Sequence, residues 1–446
     1  MRIAFPPVSG ALLDELIDWL RIPSISTGEG EPADLERAAE WAAAKVREAG
    51  GEARLVRLGS HAPLVLGELR AADAGAPTVM IYGHYDVQGA GDLALWHSPP
   101  FEPEVRDGRV FARGAADDKG NFWPLLHAAC ALAREGRLPV HVRVFVEGEE
   151  EAGSTAAIEW LRADERGADA AVVFDSVMVD ARTPAITTAL RGIVMCELAV
   201  RCGERDLHSG LFGGTVRNAL HVLHGLLAQV LPDADGALRA ELLEGVEAPA
   251  EAERASWERL PPGDASLAEV GAVPLGDRAG AEFHERTGAR PSLDVHFAEA
   301  GAPRTVIPAA ARAAFSLRLA PRQDPERLRA TLERLLGDAL PAGCELELEW
   351  FSAAPALFDA GDPAIVLAAQ ALARATGIEP VLARLGGSIP IVAELAAKRI
   401  PAIVTGFVAP DDAFHAPNES FSLRGLQLGE RSARELLRAF ADLPSG

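Results

Sequence analysis

Leu12, Leu13, Leu16, Ile17 and Leu20 recur at helical spacing, so residues 9–20 read as an amphipathic helix that Ile22-Pro23 ends. A second helix over 33–48 is alanine-rich and stops at Gly50-Gly51. Apolar runs near 53–57, 63–69 and 77–82 read as strands. Residues 121–134 carry apolar side chains at helical spacing, and Pro124 is tolerable there if it falls in the first turn. The run 140–146 is a buried strand, 154–162 a helix and 170–174 another strand. This alternation is the mark of a mostly parallel sheet flanked by helices.

The pattern changes near Arg191. A long strand over 193–200 is followed by a helix over 215–231. Residues 233–290, rich in Ala, Glu, Gly and Pro, read as irregular or weakly helical. Strands near 293–297 and 305–319 precede a helix over 325–338 that Asp324-Pro325 caps, and an alternating strand covers 344–351. Alternation then resumes with helices at 364–375 and 388–398, strands at 381–382 and 402–405, and a last helix at 424–442. The expected fold is therefore α/β. A discontinuous domain of residues 1–191 and 357–446 carries an inserted, smaller α+β domain of residues 192–356.

At 446 residues and 48% hydrophobic content, the chain has room for two or three domains and a large core. The net charge of −22 argues against a nucleic-acid surface, which needs clustered Lys and Arg. No run reaches the roughly 18 to 20 apolar residues that span a bilayer. The start, with Asp14, Glu15 and Asp18, is unlike a signal peptide, so a cytoplasmic protein is expected. Cys130, Cys196, Cys202 and Cys344 show no Cys-x-x-Cys spacing, and the first two sit in apolar runs as small core residues.

Three times a strand or its following turn delivers His, Asp or Glu beside glycine: Gly83-His84-Tyr85-Asp86, Ala116-Asp117-Asp118-Lys119-Gly120 and Glu147-Gly148-Glu149-Glu150-Glu151. Asp175 closes the buried strand 171–174, and His415 lies in the loop after the last strand. Taken singly, each has an ordinary reading: a core histidine, an aspartate capping a helix, a solvated acidic turn. Open α/β sheets, however, gather their sites at the carboxyl ends of strands. Two His and three acidic residues so placed suit a dinuclear site for zinc-like ions with mixed N and O ligands. Asp86 fits beside His84, because a metal-bound imidazole donates its other ring proton to a carboxylate.

These motifs, with Asp206-Leu207-His208-Ser209-Gly210 and Gly386-Gly387-Ser388-Ile389-Pro390, resemble the M20 metallopeptidases, in particular the branch of cytosolic nonspecific dipeptidases and carnosinases. The resemblance implies that His84 and Asp175 hold one divalent ion, Glu151 and His415 the second, and Asp117 bridges them, with the peptide bond after it often cis. It implies Asp86 as the residue orienting His84 and Glu150 as general base. It makes the inserted domain a lid and dimerisation domain, from which His208 reaches into the partner's site. Thr305, Arg318, Gly387 and Ser388 match substrate-binding positions. Zinc is the expected metal, with manganese or cobalt as alternatives. The expected activity is hydrolysis of a peptide-type amide in a small substrate. The alternatives are deacylation of an N-acyl amino acid and, from another class, an inactive metal-binding scaffold. One position departs from the branch: Leu385 stands before the Gly-Gly-Ser motif, where an acidic residue is the pattern.

Overall fold

The structure, a computed structural model, describes residues 10–28 and 30–444. The start of the first predicted helix at residue 9, and the first nine residues of the segment read as unlike a signal peptide, lie outside the described residues. The chain folds as two compact units. The first comprises residues up to Thr188, Phe358–Ala383 and Pro390 onward; the second comprises Ala189–Leu357 and Arg384–Ile389. The segment Arg384–Ile389, read from sequence as part of the discontinuous domain, is thus gathered into the second unit.

In the first unit, strands β1 (Glu52–Val56), β2 (Leu64–Leu69), β3 (Thr78–His84), β4 (His141–Glu147), β5 (Ala170–Phe174) and β6 (Ala402–Thr405) run side by side in the order β1-β2-β4-β3-β5-β6. The pairs β4–β3, β3–β5 and β5–β6 are parallel; β1–β2 and β2–β4 are antiparallel. The central parallel strands are near-continuous apolar runs, Val-Met-Ile-Tyr in β3, Ala-Ala-Val-Val-Phe in β5 and Ala-Ile-Val in β6, as burial on both faces demands. Their carboxyl ends deliver His84, Glu147 and Asp175 to one edge.

The helix Lys119–Arg134 packs against Leu423–Ala439, which in turn packs on Pro363–Thr376. Its start is fixed from the aromatic layer beneath it. Trp19 stacks on Trp41 at 4.7 Å, and Trp41 meets Trp123 edge-on at 5.0 Å. The buried Lys119 donates Nζ to the carbonyls of Ile22 (2.7 Å) and Trp19 (3.2 Å), and its burial pulls its pKa down to about 7. The helix begins two residues earlier than the pattern predicts, so Pro124 falls past the first turn. Its ring is accommodated beside Gly429, where an added Cβ would stand 3.0 Å from the proline.

The second unit is built on an antiparallel sheet of four strands in the order Ser292–Glu299, Ala310–Leu319, Gly192–Arg201, Glu345–Ala353. Its core joins one face of that sheet, including Cys196, to the helices Ala219–Leu227 and Pro325–Ala339. Asp324 caps the latter by accepting from the backbone N–H of Glu326 and Arg327. The predicted helix over 215–231 is shorter than its pattern: Asn218 accepts from the N–H of Leu220 and His221, so the helix starts at Ala219. Residues 233–290 contain the short helices Glu251–Trp257, Gly263–Val270 and Phe283–Gly288. Among the described residues no helix is long and apolar enough to cross a membrane.

Candidate metal centre

His84 is the last residue of β3 and is fully buried. Its Nδ1 lies 3.0 Å from the Asp86 carbonyl and 3.3 Å from Asp86 Oδ1. A proton on Nδ1 is thereby engaged, and Nε2 is left to face the site, 3.1 Å from Asp117 Oδ1. Asp86 does more than orient this ring. Its Oδ1 accepts from the backbone N–H of Glu150 (3.2 Å), and its Oδ2 accepts from that of Glu151 (3.1 Å) and from Ser26 Oγ (2.6 Å). One buried carboxylate therefore sets both the imidazole and the acidic turn.

Asp117 lies in the tight loop before Lys119–Arg134, and the Asp117–Asp118 peptide bond is cis. Gly120 is required here: an added Cβ would come 1.8 Å from the Ala115 carbonyl oxygen. The two oxygens of Asp117 are divided between two imidazoles, Oδ1 to His84 Nε2 and Oδ2 to His415 Nε2 at 2.9 Å. His415 Nε2 also lies 3.0 Å from Glu151 Oε1. Candidate ligand atoms of His84, Asp117 and Asp175 lie within 4.8 Å of one another, and so do those of Asp117, Glu151 and His415. All five residues expected as ligands thus meet in two triplets that share Asp117.

The three consecutive glutamates of the turn are sorted by their partners. Glu149 turns away, accepting from Ala62 N–H (3.0 Å) and lying 2.7 Å from His61 Nδ1. Glu151 faces His415, and its other oxygen accepts from Gln88 Nε2 at 2.9 Å. Glu150 sits between them with its backbone held by Asp86.

The electrostatics are those of too many carboxylates in one dry place. Burial, with the neighbouring Glu151 and Glu147, pushes the Glu150 carboxyl up to about 8. Burial raises Asp175 and Asp118 well above the usual carboxylate range, against the pull of His84 and with repulsion from nearby acids. Hydrogen bonds that its ring donates to Asp117 and Glu151 lift His415 to about 10. Such a set is short of positive charge, and its donors are imidazole nitrogens and carboxylate oxygens. Both features fit two divalent cations.

Residues not singled out from sequence also belong to this assembly. Glu419 is fully buried, and its oxygens accept from the backbone N–H of Ala116 (2.7 Å), Asp117 (3.0 Å) and Gly114 (3.0 Å) and from Arg113 Nη1 (2.7 Å). It fastens the Asp117 loop to the loop of His415, four residues before it. Its place in His415-Ala416-Pro417-Asn418-Glu419 was the available signal. Asp118 is buried with Oδ2 accepting from His84 N–H, and Glu147 accepts from Tyr82 Oη at 2.6 Å.

His208, Thr305, Arg318, Gly387 and Ser388 lie in the second unit. His208 is exposed and caps the short helix Ser209–Phe212, its Nδ1 accepting from Gly210 N–H. It pairs with Val306, next to Thr305, whose carbonyl accepts from Ser209. Ser388 Oγ donates to the Arg191 carbonyl at 2.5 Å. The Arg191 guanidinium donates to the Gly386 carbonyl and to Ser292 Oγ, and Ser292 pairs with Arg318 across the sheet. Arg191, read from sequence only as the place where the pattern changes, is the residue that fastens the Gly387–Ser388 loop.

A sequence model of Peptidase family M20/M25/M40 matches residues 80–439. The chain is 30% identical to the Beta-Ala-His dipeptidase of Homo sapiens, over 81% of this chain and 74% of that one. It is also 30% identical to the Cysteinylglycine-S-conjugate dipeptidase of Corynebacterium striatum, over 82% and 81% respectively. Among solved structures, an M20 family metallo-carboxypeptidase from Sulfolobus solfataricus matches with a TM-score of 0.85 and 25% identity, covering 96% of this chain and 99% of that one.

Proposed function

The chain belongs to peptidase family M20/M25/M40, and from that membership we propose that it is a di-metal, dipeptidase-like hydrolase of small peptide-type amides. The observation that carries the reading is the division of Asp117, one oxygen toward each of two imidazoles, within two triplets of ligands. His84, Asp117 and Asp175 would hold one cation, and Asp117, Glu151 and His415 the other, with zinc first and manganese or cobalt as alternatives. When bound, such a pair acidifies a water and polarises an amide carbonyl.

The residues supply the rest. Asp86 keeps the His84 proton on Nδ1 and holds the Glu150–Glu151 turn in register. Glu150 takes a proton from the attacking water on its carboxylate and delivers it to the departing nitrogen. His208 donates a hydrogen bond to the oxyanion that develops at the scissile carbonyl, acting in the partner subunit of a homodimer. Thr305, Arg318, Gly387 and Ser388 bind the remainder of the substrate. That two relatives are dipeptidases by name supports the substrate class.

Metal analysis joined to a hydrolysis screen tests this. Protein stripped with a chelator should lose activity and melt at a lower temperature, and added zinc or manganese should restore both. Dipeptides should be cleaved faster than N-acetyl or N-succinyl amino acids. The reverse preference would move the reading to a deacylase. Stoichiometric metal without hydrolysis of any amide would leave only a scaffold.

A further inference from the structure

In the second unit, Gly192–Arg201 pairs antiparallel with Glu345–Ala353, in a register that runs from Ile193↔Ala353 to Arg201↔Glu345. The next pair outward is Cys202 and Cys344. Side chains alternate between faces along both strands. Cys202 therefore continues the inward face of Cys196, Leu198 and Val200, and Cys344 that of Leu346, Leu348 and Trp350; all of these belong to or pack against the core of the unit. Directly opposed residues of an antiparallel pair on one face have the Cα and Cβ separations that a disulfide needs. The two sulfurs lie 2.7 Å apart, both residues are part-exposed, and both are free thiols. Cys130 and Cys196, by contrast, are buried.

We propose that Cys202 and Cys344 form a redox modification site, closing reversibly to a cross-strand disulfide on exposure to a low-molecular-weight disulfide such as oxidised glutathione. The inference does not depend on the hydrolase reading. One thiol of the pair attacks one glutathione sulfur, and the first glutathione thiol departs. The other then attacks the protein sulfur of the mixed disulfide, and the second departs. The two thiol hydrogens of the protein end on the two glutathiones, so the protein is oxidised by two electrons as the reagent is reduced. Burial and the adjacent Cys344 push the Cys202 thiol up to about 12, so the exchange is faster at alkaline pH, where more thiolate forms. The bond closes a loop between residues 142 apart in sequence, which removes much freedom from the unfolded chain.

The full-length protein is incubated with mixtures of oxidised and reduced glutathione, quenched with acid, and its thiols are counted by alkylation and mass spectrometry. Two of the four thiols should be lost, together with two mass units, and a linked peptide pair should contain residues 202 and 344. Cys130 and Cys196 should remain alkylatable after unfolding. The oxidised protein should melt several degrees higher, the rise reversed by dithiothreitol and absent from C202S and C344S. Retention of all four thiols, glutathione adducts that never resolve, or an equal rise in C344S would each overturn the proposal. The peptide map is read on the unaltered protein, so the test stands even if a serine variant folds poorly.

Discussion

Asp117 carries the proposed chemistry only because other side chains hold it. A carboxylate free to rotate would not keep one oxygen on each of two imidazoles. Glu419 prevents that rotation indirectly, by accepting the N–H groups on both sides of the Ala116–Asp117 link and the Arg113 guanidinium. Glu419→Gln leaves one acceptor oxygen where two are used. It should weaken zinc or manganese binding by about 10–100-fold while the circular dichroism spectrum stays native; titration calorimetry reads the affinity, and an unchanged value removes Glu419 from this role. Glu150 has the opposite profile. Glu150→Gln should keep both metals but lower kcat by about 10²–10⁴. Metal stoichiometry and steady-state kinetics on one preparation separate the two residues, and near-normal turnover would sink the base assignment.

Among the elements, the helix Lys119–Arg134 connects the site to the core. Its first turn follows the Asp117 loop, and the helix packs on Leu423–Ala439. His127, in its middle, sits edge-on to Trp123 at 5.3 Å, with Nδ1 3.9 Å from Glu430. Burial outweighs the pull of Glu430, and with Arg134, Arg434 and Lys45 also opposing protonation the pKa falls to about 4 from an ordinary 6.5. The unfolded chain therefore takes up this proton first. The contribution of this group to stability is complete above about pH 6.5 and falls as the pH drops toward 4, because the unfolded state binds more protons across that window. His127→Gln should flatten the decline in urea-unfolding free energy between pH 7 and 4.5. A decline as steep as that of the native chain would show that other groups carry it.

At the scale of the whole molecule, the proposed role of His208 calls for a second copy of the chain. His208 belongs to the second unit, stands exposed, and keeps Nδ1 occupied by Gly210. If it serves the partner's site, two inactive variants should rescue each other. Glu150→Gln and His208→Ala should each be nearly inactive alone. After dissociation and reassociation in equal amounts, half the dimers would be hybrids, and one of the two sites in each hybrid would be intact. Activity should then recover to about a quarter of the native level, given a symmetric dimer that reassorts freely. No recovery, with hybrids shown by native mass spectrometry, would place His208 in the site of its own chain.

The linear order of residues determined a good deal of this. Period-two and period-3.6 patterns set the elements, because burial of one face is a local demand. Buried runs ending in His or Asp marked the carboxyl ends of parallel strands, so two candidate ligands, His84 and Asp175, were legible at β3 and β5. Helix ends were less so: the side-chain caps at Asn218 and the early start at Lys119 depend on hydrogen bonds the pattern does not contain. Glu419, Arg191 and the pair Cys202–Cys344 were invisible as a group of roles. Each acts on backbone or sulfur more than a hundred residues away in sequence, and such separations close only when the sheets form. Tertiary structure alone decided which of three adjacent glutamates turns from the site, since Ala62 and His61 are what capture Glu149.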